Sequence, residues 1–187
     1  MSNSGSRKKA SQDRLNQIHA KASELPADLI SPRFVADVML GRLAKWLRIS
    51  GFDILYSNRY TDDELIAISR EEKRILLSRD TRLLIRKPVN SFIFLESDRI
   101  QDQIRQVFQA IRTTTFPAPL TRCLLCNEIL DLIPRAEIRE VVPRYVFENQ
   151  RQFKMCPRCG KVYWPGTHRQ SVTRILATLL SAEKVGE

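Results

Sequence analysis

The sequence predicts an α/β fold: a parallel sheet covered on both faces, followed by a small metal-held module. Two observations predict it. Between residues 33 and 113, short uninterrupted apolar runs alternate with helices that are apolar on one side. Strands buried on both faces read as continuous hydrophobic runs rather than as alternation. After residue 120, four cysteines stand in two Cys-x-x-Cys pairs. The 187 residues are 43% hydrophobic and 28% charged, a globular composition that excludes a disordered tail or a coiled coil.

Residues 1–32 read as a basic flexible arm. Leu15, Ile18 and Ala22 are spaced for a short amphipathic helix, and Pro26 and Pro32 interrupt the chain before the first strand. Asp13, Glu24 and Asp28 argue against a transit peptide. Phe34-Val35-Ala36 is the first strand, ending at Asp37. Leu40, Leu43, Trp46 and Leu47 then recur at helix spacing, with Gly51 as the stop. Ile54-Leu55-Tyr56 is the second strand. Thr61-Asp62-Asp63-Glu64 opens a helix with Leu65, Ile66, Ile68 and Ser69 on its inner face; Thr61 or Asp62 can cap it, and the acids suit its positive end. Ile75-Leu76-Leu77 is the third strand, closed by Ser78-Arg79-Asp80. Residues 91–95 form the fourth, and after Asp98 a helix carries Ile100, Ile104, Val107, Phe108 and Ile111. These elements assign residues 33–113 to the sheet domain and 114–120, with Pro117 and Pro119, to a linker. Residues 121–175 form the cysteine module, in which Ile138, Val141, Val142, Tyr145, Val146 and Phe153 read as short strands, and 176–187 a tail.

The net charge is +10, and residues 120–174 are the most lopsided stretch, with 10 basic and 5 acidic side chains. A basic surface points to a polyanionic partner. No apolar run is long enough to cross a bilayer and no secretory signal opens the chain, so a cytoplasmic protein with no membrane partner is expected.

The acids fall where a parallel sheet concentrates ligands. Asp37 follows the first strand, Asp62 opens the helix after the second, Asp80 follows the third, and Asp98 stands past the fourth. The carboxyl ends of such strands share one edge. Carboxylates gathered there repel one another unless one is protonated or a cation sits between them. Oxygen donors select a hard ion, Mg²⁺ or Mn²⁺, and such an ion activates water and neutralises a scissile phosphate. The alternative duty for Asp62, Asp63 and Glu64 is helix capping, and for single strand-end acids turn formation. Arg42 and Lys45 share a helix face, with Arg48 one turn along. With Arg79, Arg82, Arg86 and Lys87 they are candidates for the phosphates flanking a cleaved bond, or else a solvated face.

Cys123-x-x-Cys126 and Cys156-x-x-Cys159 are two knuckles suited to a tetrahedral Zn²⁺. Four protein ligands close the coordination sphere, so this metal is structural. Two disulfides are the alternative, disfavoured by the expected compartment. Tyr163 and Trp164 are candidates for base stacking or for packing a small core, and His168 for a nucleic-acid contact or a packed position.

With both constellations in hand, the chain resembles the Mut-seven C-terminal RNase domain family. The residues that carry the likeness are Asp37-Val38-Met39-Leu40-Gly41-Arg42-Leu43-Ala44-Lys45-Trp46-Leu47-Arg48, Thr61-Asp62-Asp63-Glu64-Leu65, Ser78-Arg79-Asp80, the two cysteine knuckles, and Tyr163-Trp164 with Gly166-Thr167-His168. Leu124 stands where the family usually has proline. The resemblance implies a PIN-like three-layer α/β/α nuclease domain with a zinc ribbon after it. Asp37, Asp62 and Asp80 match its metal-binding, catalytic acids, with Asp98 as a further candidate, and the four cysteines match its zinc ligands. The expectation is a metal-dependent ribonuclease using Mg²⁺ or Mn²⁺ and gripping RNA with Arg42, Lys45, Arg79 and the ribbon. DNA is a second candidate substrate. The alternative is a non-catalytic RNA- or ribosome-binding module, and beyond it a protein-docking adaptor.

Overall fold

The computed structural model describes residues 13, 16, 18, 32–86, 89, 91–113, 115–165, 174 and 178. Packing divides the chain into two compact units, residues 1–46 with 53–115, and residues 47–52 with 116–187.

The first unit is built on four parallel strands, β1 (Arg33–Ala36), β2 (Asp53–Tyr56), β3 (Ile75–Ser78) and β4 (Phe92–Phe94), in the order β2-β1-β3-β4. Every residue of β3 is buried, as its unbroken apolar sequence requires of a central strand. After β1 a 3₁₀ turn (Val38–Leu40) leads into α1 (Gly41–Ile49). The other helices are α2 (Asp62–Glu71), α3 (Thr81–Arg86) and α4 (Ile100–Ala110). Val35, Leu76 and Phe92 lie in one cross-strand row and pack with Leu65 and Ile66 of α2 and Leu83 and Leu84 of α3. The intervening residues Phe34, Ala36, Leu77 and Ile93 point to the other face and are buried too, as are Leu43 of α1 and Ile104, Val107 and Phe108 of α4. Ile18 is fully buried in the first of these clusters, so at that residue the expected free arm is packed into the core. The rest of the expected amphipathic turn, Leu15 and Ala22, lies outside the described residues.

The order β2-β1-β3-β4 sets the site. Connections leave β1 and β3 in opposite directions, so a crevice opens between their carboxyl ends, the topological switch point of an open α/β sheet. Asp37 and Asp80 follow those two strands. At the other end of the sheet the acids are neutralised. Arg74, just before β3, donates to Asp53 (2.6 Å) and Glu72 (2.7 Å) and to the Phe34 carbonyl (3.3 Å). Those bonds outweigh the burial that opposes its charge, and its pKa is raised.

In the second unit three antiparallel strands, β5 (Asp131–Ile133), β6 (Phe153–Met155) and β7 (Val162–Tyr163), form a small sheet in the order β5-β6-β7. The stretch between the knuckles corrects the sequence reading. Ile138 lies in a 3₁₀ turn (Arg135–Ile138), Val141 and Val142 in the turn that follows, and Tyr145 and Val146 in α5 (Arg144–Asn149); of the six residues only Phe153 is in a strand. β-branched composition suggested strands, but Ile138, Val142 and Val146 recur every fourth residue and cluster with Phe153. Pro143 at the N-cap opens the helix and an Arg144–Glu148 pair at i,i+4 supports it.

The segment 114–120, read as a linker, packs in part: Leu120 donates to the Ile49 carbonyl (2.8 Å), and the Ala118 backbone lies against Gly51. A Cβ at Gly51 would come within 2.3 Å of the Ala118 oxygen, and its φ of +94° suits glycine. No helix among the described residues is long and apolar enough to cross a membrane.

Candidate nuclease site and zinc centre

Asp37 is only 5% exposed, yet it makes no ion pair among the described residues. The hydroxyl of Ser78 donates to its Oδ2 (2.6 Å) and the Val38 amide to its Oδ1 (2.6 Å). A buried carboxylate held by neutral donors alone, with no cation, is energetically expensive. Ser78, fully buried as the last residue of β3, also accepts from the Asp80 amide (2.9 Å). One hydroxyl thus joins two acids separated by 43 positions, and the Asp80 carboxylate turns back to cap the Arg82 amide (2.7 Å).

The turn after Asp37 is fixed from above. The Tyr56 hydroxyl, at the end of β2, donates to the Val38 carbonyl (3.0 Å), and its ring covers Gly41, where a Cβ would come within 2.6 Å of that hydroxyl. Glycine is required here for space rather than for an unusual φ. The turn leaves Val38 and Met39 exposed beside the buried acid.

Asp62 and Asp63 are exposed in the first turn of α2. Glu64 is committed to a capping box: it accepts from the Thr61 amide (2.7 Å) while Thr61 Oγ1 accepts from the Glu64 amide (3.3 Å). The bond from the Thr61 backbone, then that from its hydroxyl, holds the Glu64 carboxyl below its ordinary range. Of the three acids the sequence left open, Glu64 is the one spent on the capping box, with Thr61 as the N-cap. Asp98 is exposed beyond β4. No three of these carboxylates gather closely enough to share an ion; among the described residues the four cysteines are the one such group.

Of the candidate phosphate contacts, Arg42 and Lys45 are exposed on α1, and Arg79 is partly buried with an Nε that has no hydrogen-bond partner among the described residues. Arg48 is corrected. It is 4% exposed, and its guanidinium donates to the carbonyls of Leu124 (2.9 Å) and Leu125 (3.0 Å) inside the first knuckle. Its position one turn after the buried Ala44 was the available signal. Lys87 and His168 lie outside the described residues, as does the Arg86 side chain.

The cysteine sulfurs lie within 4.8 Å of one another, with separations of 3.3, 3.4 and 3.7 Å for three pairs. Zn–S bonds of about 2.3 Å in a tetrahedron place sulfurs about 3.8 Å apart, whereas a disulfide requires about 2 Å. The cluster fits zinc. The two knuckles share one backbone pattern: Cys123 and Cys156 donate to the carbonyls of Glu128 and Lys161, and accept from the amides of Asn127 and Gly160. Asn127 and Gly160 both have φ of +70°. The Tyr163 hydroxyl accepts from the Leu124 amide (3.0 Å) and donates to Cys123 Sγ (3.2 Å). Burial raises the Cys123 thiol, but bonds from Tyr163 and from the Cys126 and Leu125 amides outweigh it and bring the pKa to about 6. Burial and the Cys156 and Cys123 sulfurs push Cys126 up to about 12. Four thiolates therefore need a cation among them. Through its hydroxyl Tyr163 supports the first cysteine knuckle.

A family model for the Mut7-C RNAse domain matches residues 32–176, spanning the switch-point acids and both knuckles. The chain belongs to the Mut7-C RNAse domain family. No curated protein and no solved structure matches it. Membership gives a nuclease-like role, and with it the carboxyl edge of the Mut7-C sheet becomes the candidate active site.

Proposed function

We propose that this Mut7-C chain is a metal-dependent ribonuclease of PIN-like type, hydrolysing RNA phosphodiester bonds at the carboxyl edge of its sheet. The observation that carries the reading is the buried Asp37 carboxylate, without an ion pair among the described residues and coupled through Ser78 to Asp80 at the switch point. Mg²⁺ commonly takes one or two protein carboxylates and keeps several waters, so Asp37 and Asp80 suffice as a starting set, with Asp62 available from the exposed end of α2. A bound Mg²⁺ or Mn²⁺ would supply Lewis-acid stabilisation of the phosphate and a more acidic water. Asp37 is the fixed ligand, Ser78 orients it, and Arg42, Lys45 and Arg79 supply positive charge for the flanking phosphates.

The test is cleavage of end-labelled single-stranded RNA by the zinc-loaded chain. Cleavage should require added Mg²⁺ or Mn²⁺ and disappear in Asp80→Asn. RNA bound but left intact under every divalent ion would favour the second reading, a non-cutting RNA- or ribosome-binding module, which fits the lack of a three-carboxylate cluster among the described residues.

Ser78→Ala should raise the Mg²⁺ concentration needed for half-maximal cleavage by about 10- to 100-fold, the usual range for losing a group that orients a metal ligand. A Mg²⁺ titration of the cleavage rate measures it. An unchanged midpoint in a folded variant would remove Ser78 from the site.

A further inference from the structure

We propose that the second unit holds one unpaired nucleotide of RNA, its base in an apolar slot beside Trp164 and its phosphate on Lys154. The inference rests on RNA being the substrate class. The slot is a cavity of about 170 Å³ whose lining includes Leu130, Leu132, Trp164, Gln152, Lys154 and Arg122. Pockets for drug-sized ligands run to about 300–1,000 Å³, so this one is of a size suited to a single base.

The strand register builds it. Leu132 of β5, Lys154 of β6 and Tyr163 of β7 are direct cross-strand neighbours, so they form one row on one face of the small sheet. Tyr163 spends its hydroxyl on Cys123 and the Leu124 amide, so its ring is what remains for the slot. Leu132 is 75% exposed and Trp164 38% exposed, large apolar surfaces in the lining that are left open to solvent.

Charge selects the occupant. Two cations and no acid line the cavity. Arg122 is anchored to the Gly51 and Asn127 carbonyls, and Lys154 gives the Leu120 carbonyl one bond of 3.3 Å, leaving further donors on its ammonium. An aromatic ring and apolar side chains in one lining with two cations is the combination that stacks a base and holds its phosphate. A paired base has both faces covered, so the ligand is single-stranded.

The experiment uses the zinc-loaded full chain without added Mg²⁺ or Mn²⁺, so that binding is read without cleavage. Anisotropy compares a labelled oligouridine with the same sugar–phosphate strand carrying abasic positions. Stacking of one base predicts a preference of about 5- to 100-fold for the base-bearing strand. Trp164→Ala should abolish that preference without changing the abasic affinity, and Trp164→Phe should retain most of it. Lys154→Gln should weaken both strands alike and lower the salt slope by about one. As a readout on the unaltered fold, the base-bearing strand should quench tryptophan emission in the wild type and not in Trp164→Phe. A full base preference in Trp164→Ala, or equal quenching in both proteins, overturns the slot while leaving the ribonuclease reading intact; a protein-docking role for this face would give that result. Failure of the wild type to bind either strand removes the slot, and cleavage of the same strand with Mg²⁺ restored reads the ribonuclease proposal separately.

Discussion

Asp37→Asn should abolish metal-dependent RNA cleavage while leaving the protein as stable as before, or more so. The two effects have opposite signs for one reason. The Asp37 carboxylate is buried, held by a hydroxyl and an amide, and paired with no cation among the described residues. Asparagine keeps the shape, an acceptor oxygen for the Val38 amide and an NH2 that the Ser78 hydroxyl can accept from, while removing the desolvated charge. A variant that merely damaged the core would lose stability and activity together. The catalytic loss should be at least about 10³-fold, since a ligated metal is asked to supply several kcal/mol and each ~1.4 kcal/mol is tenfold. Thermal melting with and without Mg²⁺ completes the measurement: the ion should raise the wild-type midpoint and leave Asp37→Asn unmoved. A folded Asp37→Asn that cuts RNA at the wild-type rate refutes the site.

The second large effect concerns the cysteines. Cys156→Ser, or stripping with a strong chelator, should unfold the second unit. Among the described residues its apolar clusters are small, one of them built around Cys123 and Cys156 themselves. Structural zinc contributes about 10–16 kcal/mol in small modules, comparable to the whole stability of an ordinary domain. The wild type should carry one zinc per chain by metal analysis, and Cys156→Ser none, with residues 116–165 becoming sensitive to limited proteolysis. A zinc-free variant with undiminished protease resistance would show that the knuckles hold without their ion.

The sheet was legible because its strands are buried on both faces and their residues form unbroken runs. Thr61 as a cap and Gly51 as a stop were legible because each answers a local backbone need. The acids Asp37 and Asp80 could be assigned to one edge from topology alone. What joins them was not: Ser78 reads in sequence as the first residue of a turn, and its hydroxyl acquires meaning only when β1 and β3 are neighbours. Tyr56 over Gly41 is likewise a contact between the end of one strand and the start of a helix 15 positions earlier. The helix between the knuckles was missed because β-branched composition outweighed a four-residue spacing that was present. Arg48 was misread because charge was weighed before position, although it continues the buried stripe of α1.

The division of the chain has a consequence for how the protein can be dissected or recombined. Residues 47–52 belong to the second unit although they lie in the middle of the first in sequence. A fragment ending at Thr115 would keep Arg48 but lose the Leu124 and Leu125 carbonyls that hold its guanidinium, stranding a cation evolved for burial. Conversely, a ribbon expressed from residue 116 onward lacks the Ile49 and Gly51 carbonyls that Leu120 and Arg122 use. Neither half is a portable cassette, so a crossover that exchanged only the cysteine-bearing portion would also have to rewrite the end of α1.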